Sequence, residues 1–321
     1  MRRIDPVERR GLVVMSEFHS DLAWARLIPK IPITSRFFRL VSARPPAAAP
    51  MPDGLMSEDF VVPGVDDQHP VSVRVYRPKS LESGRPALFW MNGGGFVGGT
   101  LEQDEQGSIA FARELDITVV AVRYRVAPEH PSPAALEDAY AGLLWLFGVA
   151  AERGIDATRI AIGGSSAGGG LAATLAIYAH DRDEVRPVFQ LLRYPMLDDR
   201  TATKRAKDLP NARVWLPKDN RYGWTSYLGV APGSPGVSAY AAASRREDLS
   251  GLPPAWLGVG TLDLFCDEGI EYARRLNEAG VPCSLHVVPG AFHGFDQLFS
   301  NTDVARQFWA AQVSALRDVF A

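Results

Sequence analysis

Residues Gly164-Ser165-Ser166-Ala167-Gly168 place a glycine-flanked serine between two stretches of different period. Upstream, Arg159-Ile160-Ala161-Ile162-Gly163 is a short apolar run that predicts a buried strand. Downstream, residues 168–180 predict a helix. A serine on a tight strand-to-helix turn has room only if the residues two before and two after it are small. Its Oγ then stands above the sheet at a helix N-terminus, where developing negative charge is favoured. With Ser165 at the centre the flanks would be Gly163 and Ala167; with Ser166 they are Gly164 and Gly168. The double glycine selects Ser166 as the candidate nucleophile. A phosphate-binding glycine loop is the competing reading, but no lysine follows and the spacing does not fit.

The same alternation extends along the chain. Strands are predicted at 71–75, 87–91, 117–122, 159–163, 188–192, 255–260 and 283–288. Helices are predicted at 104–115, 133–153, 168–180, 268–279 and 302–319. Strands alternating with helices imply an α/β fold with a mostly parallel sheet covered on both faces. Functional residues in such sheets gather at the carboxyl ends of the strands. Two regions stand outside the pattern. Prolines at 45, 46, 50 and 52 set off an N-terminal block, in which Leu22, Trp24, Ala25 and Leu27-Ile28 suggest short helices. The strand–helix rhythm starts only after this tract, so the sheet's core is not expected to need residues 1–44. The polar stretch at about 199–226 fits no strand–helix unit.

Three further loops at strand ends complete a set with Ser166. Asn92-Gly93-Gly94-Gly95-Phe96-Val97-Gly98-Gly99 follows the strand at 87–91 and bares backbone N–H groups, as an oxyanion site requires. Asp263 lies just after the strand at 255–260, and His293 after that at 283–288. Ser166, Asp263 and His293 occur in the chain order of a hydrolase triad, in which the histidine takes the serine proton and the aspartate orients the imidazole. His130, in a proline-rich turn, and His286, inside a strand, read as structural.

Composition narrows the function classes. The 321 residues are 46% hydrophobic and 22% charged, with net charge −3, which excludes a disordered chain and gives no electrostatic case for nucleic acid or an anionic membrane. Two cysteines exclude a disulfide scaffold. Cys266 and Cys283 fall at opposite ends of neighbouring strands, so no bridge is expected between them. No run approaches a membrane span and no secretory signal is apparent, so a cytoplasmic location is expected.

These motifs together resemble the hormone-sensitive-lipase-like, or family IV, carboxylesterases of the α/β-hydrolase superfamily, and within them bacterial heroin-esterase-type enzymes. The family's H-G-G-G is matched by Asn92-Gly93-Gly94-Gly95, G-D-S-A-G-G by Gly164-Ser165-Ser166-Ala167-Gly168-Gly169, and the acid loop by Asp263-Leu264-Phe265-Cys266-Asp267-Glu268. H-G-F recurs as His293-Gly294-Phe295. Tyr124-Arg125-Val126-Ala127-Pro128-Glu129-His130-Pro131 and Tyr194-Pro195 resemble two more family signatures.

The resemblance implies an α/β-hydrolase fold with a small helical cap. Residues 1–50 would form an N-terminal cap segment and 51–321 the catalytic domain, with a second cap insertion at about 199–226. It implies a serine carboxylesterase acting on small to medium acyl or aryl esters through an acyl-enzyme, with an amidase or a non-catalytic binder as alternatives. Ser166, Asp263 and His293 would be catalytic, and the N–H groups of Gly93, Gly94 and Ala167 would form the oxyanion hole. No cofactor or metal is expected. The partner would be a small ester, without nucleic acid or membrane, and homodimers are frequent among relatives. Trp215, Trp224 and Tyr227 would face the acyl or alcohol pocket or pack within the cap. Asn92, Ser165 and Leu264-Phe265-Cys266 depart from the family pattern.

Overall fold

The computed structural model describes residues 17–34, 49–65, 69–80, 83–203 and 209–321. Most of the proline tract and residues 204–208 of the irregular stretch lie outside the described residues. The described strands are β1 (Leu55–Val62), β2 (Val71–Pro78), β3 (Arg85–Met91), β4 (Thr118–Arg123), β5 (Ile155–Ser165), β6 (Gln190–Arg193), β7 (Ala255–Gly260) and β8 (Cys283–Val288). They form one sheet in the order β1-β2-β4-β3-β5-β6-β7-β8. β2 runs antiparallel to both of its neighbours, and the remaining pairs are parallel.

The helices are α1 (Leu101–Leu115), α2 (Ala134–Val149), α3 (Ala167–Arg182), α4 (Pro217–Leu228), α5 (Cys266–Glu278) and α6 (Asp303–Phe320), with a single helical turn at Phe295–Leu298. The central strands β3 and β4 are buried almost throughout, as parallel strands covered on both faces must be. Two elements escape the sequence pattern. β1 alternates in exposure but not in chemistry: Ser57, Asp59 and Val61 are exposed, while Met56, Glu58 and Phe60 are partly covered, so an apolar residue stands on the outer face and a charged one on the covered face. α4 lies inside the stretch that reads as irregular.

Strand register brings the loops together. Met91 pairs with Gly164, Ser165 with Arg193, Arg193 with Gly258, and Gly260 with Val288. The glycine loop, the serine turn, and the loops after β7 and β8 therefore leave the sheet at one edge. Cys266 begins α5 beyond the carboxyl end of β7, whereas Cys283 begins β8, and no disulfide joins them.

The N-terminal segment departs from expectation. Residues Ser20–Leu27 form a 3₁₀ helix whose Leu22 and Ala25 are fully buried while Trp24 is 74% exposed. Phe18 packs edge-on against Phe292, at 6.1 Å between ring centroids. The His19 N–H donates to the Gly290 carbonyl at 3.0 Å, and Asp21 Oδ2 accepts from the Val304 N–H at 3.1 Å. These residues belong to the same buried cluster as the sheet, so the core is shared with residues 17–34 rather than complete without them. Leu22→Ala should accordingly lower unfolding stability by about 2–5 kcal/mol. Chemical denaturation reads this directly, and a loss below about 0.5 kcal/mol would mean that the segment adds nothing to the core.

Candidate active site

Ser166 sits at the end of β5 with φ 55° and ψ −118°, a backbone conformation that costs a non-glycine residue energy. The surroundings enforce it. The Ser166 N–H donates to the Arg193 carbonyl at 2.9 Å, and the Ser166 carbonyl accepts from Gly170 at 2.9 Å and Met196 at 3.0 Å. A Cβ on Gly164 would lie 2.6 Å from the Met91 carbonyl oxygen, and one on Gly168 would run into the Met91 and Asn92 carbonyls. Both glycines are thus required by close backbone packing, and the turn is centred on Ser166.

His293 and Asp263 converge on this serine. His293 Nε2 lies 2.9 Å from Ser166 Oγ, and His293 Nδ1 lies 2.8 Å from Asp263 Oδ2. The carboxylate on one side requires the proton on Nδ1, which leaves Nε2 free to accept from the serine hydroxyl. The other Asp263 oxygen accepts from the Phe265 N–H at 2.9 Å. Backbone bonds join the acid and histidine loops: Leu262 N–H to the Ala291 carbonyl, and Thr261 N–H to the Val288 carbonyl. Tyr194 and Phe265 hold the imidazole edge-on, with centroids at 4.8 and 5.2 Å. Thus Phe265, one of the departures in the acid loop, supports the histidine directly. Asp267, four residues after Asp263, is exposed.

Gly93 lies beside the serine turn: a Cβ built on it would be 3.4 Å from Ser166 Cβ. Gly94 has φ 139°, a conformation open to glycine, and its carbonyl accepts from the Val97 N–H at 3.1 Å. Ala167 is the first residue of α3, so its N–H has no partner within the helix. Asn92 is buried, and its side-chain amide donates to the Gly93 carbonyl at 2.8 Å. The Tyr124 hydroxyl donates to the Asn92 carbonyl at 2.7 Å, which gives the Tyr124-Arg125 signature a structural reason. From the opposite side, Phe96 stacks on Tyr227 at 3.9 Å, and the Trp215 ring fills the space beside Gly95. Trp224 and Tyr227 are buried in this packing, and Trp215 nearly so.

The site thus comprises a hydroxyl poised for deprotonation, an imidazole acceptor, a buried carboxylate and a glycine loop. Among the described residues, no three His, Cys, Asp or Glu side chains are grouped as a metal site would need. No helix there is long and apolar enough to cross a membrane.

A family model described as the alpha/beta hydrolase fold matches residues 88–297. The chain belongs to the hormone-sensitive-lipase-like branch of the α/β-hydrolases. This α/β-hydrolase is 36% identical over 267 residues to the carboxylic ester hydrolase LipN of Mycobacterium tuberculosis, covering 81% of this chain and 69% of LipN. It is 32% identical to an ethyl acetate hydrolase of Pseudomonas putida, covering 78% and 79% of the two chains. Among solved structures it resembles a bacterial heroin esterase with a TM-score of 0.88 at 38% identity, covering 96% of this chain and 99% of the other.

Sequence reading assigned no separate role to Glu268, which the structure places beside the hydrolase site. Glu268, buried in the first turn of α5, accepts from the Leu197 N–H at 2.7 Å, the Asp198 N–H at 3.3 Å and the Thr201 hydroxyl. It ties the segment after β6 to the helix that follows the acid loop. Burial pushes its pKa up to about 8, partly opposed by these donors. The folded chain therefore holds this proton more tightly than the unfolded chain, whose carboxyl titrates near 4.3. The resulting stability is complete below the unfolded value and is lost as pH rises through about 8. Glu268→Gln, which mimics the protonated group, should have a Tm that gains on wild type as pH rises from 5 to 9. Thermal melts across that range are the check, and parallel Tm curves would contradict the assignment.

Proposed function

We propose that this chain hydrolyses carboxylic esters at Ser166, with His293 as general base, Asp263 as its orienting carboxylate, and the N–H groups of Gly93, Gly94 and Ala167 as oxyanion donors. The observation that carries the reading is the continuous relay from Ser166 Oγ through His293 to Asp263, at 2.9 and 2.8 Å, on a fold shared with named esterases.

In the first half-reaction His293 Nε2 takes the hydroxyl proton as Ser166 Oγ attacks the ester carbonyl. The buried Asp263 carboxylate stabilises the imidazolium, and the oxyanion faces the glycine loop. Collapse transfers the proton from Nε2 to the leaving alkoxide and leaves an acyl-serine. Water, deprotonated by His293, then releases the acid. These steps need no group beyond the chain and water.

Relatives named for ethyl acetate and heroin hydrolysis span a small aliphatic and an aromatic ester. Together with the buried aromatics Trp215, Trp224 and Tyr227, they support small to medium acyl or aryl esters as substrates. We assign residues 17–34 and the segment containing α4 to a cap over the site. Arg213 Nε donates to the Ala25 carbonyl at 2.9 Å and the Ile33 N–H to Asp219 Oδ1 at 2.9 Å, so the two parts support each other. The two unbridged cysteines accord with a reducing, cytoplasmic location.

Two experiments test the reading. Ser166→Ala should abolish labelling by a fluorophosphonate and lower kcat by about 10⁴–10⁶, whereas Ser165→Ala should still be labelled, at Ser166. Peptide mapping of an adduct to Ser165 would overturn the assignment. Asn92→Ala, which frees the Gly93 carbonyl, should lower kcat about tenfold with little change in KM, less than the 10²–10³ that follows loss of an entire oxyanion donor. A kcat equal to wild type on a short-chain ester would mean that Asn92 does not brace the loop.

A further inference from the structure

Behind the serine turn lies a second group of polar side chains that takes no part in the relay. Asp104, in the first turn of α1, is buried. Its Oδ2 accepts from Ser165 Oγ at 2.6 Å and from Trp90 Nε1 at 3.1 Å. Its Oδ1 accepts from Gln297 Nε2 at 2.7 Å and from Arg193 Nη2 at 3.4 Å. Arg193 also reaches Asp296 Oδ2 at 3.4 Å, and its guanidinium lies 5.3 Å from the centre of the Trp90 ring. Four donors match the four lone-pair sites of a carboxylate, so this buried charge is fully satisfied.

What matters is where those donors come from. Ser165 is covalently adjacent to Ser166, whereas Gln297 lies in the helical turn that directly follows His293-Gly294. One planar carboxylate thus grips the two segments that carry the reacting pair, one through each oxygen. The arrangement also separates the roles of the adjacent serines: the Ser165 hydroxyl proton is engaged by Asp104, and only Ser166 faces the imidazole.

We propose that Asp104 is a positioning residue for ester hydrolysis, its carboxylate joining the serine turn to the histidine segment and so setting the separation of Ser166 from His293. The proposal rests on the assignment of Ser166 and His293 given above. Asp104 contacts neither substrate nor reacting atoms. It acts on rate because proton transfer demands hydrogen-bond contact between Oγ and Nε2, and a loosened pair spends less time within reach.

A double-mutant cycle tests this. Ser165→Ala removes a donor to Oδ2 and Gln297→Leu a donor to Oδ1; each leaves Asp104 its contacts with Trp90 and Arg193, so both variants keep the buried charge paired. kcat and KM are measured on p-nitrophenyl acetate, with active sites counted by fluorophosphonate titration. Each single variant should lower kcat about fivefold with KM unchanged. The double variant should also lie about fivefold below wild type, because either change already breaks the direct Ser165–Asp104–Gln297 bridge, while the longer contacts of Arg193 with Asp104 and Asp296 persist in all the variants. Independent effects that multiply to about twenty-fivefold would overturn the proposal, as would a lowered Tm with unchanged kcat. A wild-type chain that is not labelled at Ser166 would instead overturn the assignment of the site itself, and the proposal with it. Labelling at Ser166 with multiplicative losses would sink the role of Asp104 alone.

Discussion

The backbone contact between the serine turn and the end of β3 governs the rest of the site. Gly164 and Gly168 lie so close to the Met91 and Asn92 carbonyls that a methyl group at either position has no room. This contact drives Ser166 into its unfavourable backbone conformation and presents its side chain above the sheet edge. It also fixes the start of the glycine loop, because Asn92 and Gly93 continue directly from the strand on which the turn rests. The proposed nucleophile and oxyanion donors are therefore one packing unit, and strain at the serine is sustained by the two strands beneath it.

Asp263 and His293, the proposed orienting acid and base, reach this unit from the β7–β8 end of the sheet. β6 separates β5 from β7, so Asp263 and His293 must extend back over the end of β6 to meet Ser166. That span is bridged in three ways. Backbone bonds weld the loops after β7 and β8 to each other. Tyr194, at the end of β6, places its ring against the imidazole. Finally, Phe18 and His19 press the N-terminal segment against Phe292 and Gly290 beside His293. The same buried surface that stabilises this segment thus limits the freedom of the histidine loop.

The sequence made legible whatever depends on local chemistry. The strand–helix alternation and the glycine register around Ser166 leave a mark within a few residues, and Asp263 and His293 are legible because each lies in the loop after a strand, in the expected order. β1 left a weak mark because Val61 stands on its exposed face and Glu58 on its partly covered face, which blurs the alternation of apolar and polar residues. α4 was hidden because its turns carry Lys218, Asp219, Asn220 and Arg221 along with its buried Trp224 and Tyr227. The contacts of Asp104 with Ser165, Arg193 and Gln297 span 61, 89 and 193 residues, and no periodicity signals pairings of that kind. The proline tract misled in one respect. It marks a change of pattern, but Phe18, Leu22 and Ala25 on its far side are core residues. Apolar residues in a short 3₁₀ helix show too few turns for periodicity to reveal which face is buried.

The aromatic packing over the glycine loop shows why the proposed cap and the proposed catalytic loop are hard to separate in this chain. A run of glycines exposes its N–H groups only because it has no side chains, and for the same reason it cannot anchor itself. Anchors have to come from elsewhere. Asn92 and Tyr124 supply them from the sheet side by hydrogen bonds to backbone carbonyls. Trp215, Trp224 and Tyr227 supply them from the α4 side by packing against Gly95 and Phe96. The side chains that would enclose a substrate therefore also hold the loop that would receive the oxyanion. Changing the size of the pocket through these aromatics alters the support of the loop as well, so substrate range and turnover are coupled through the same few contacts.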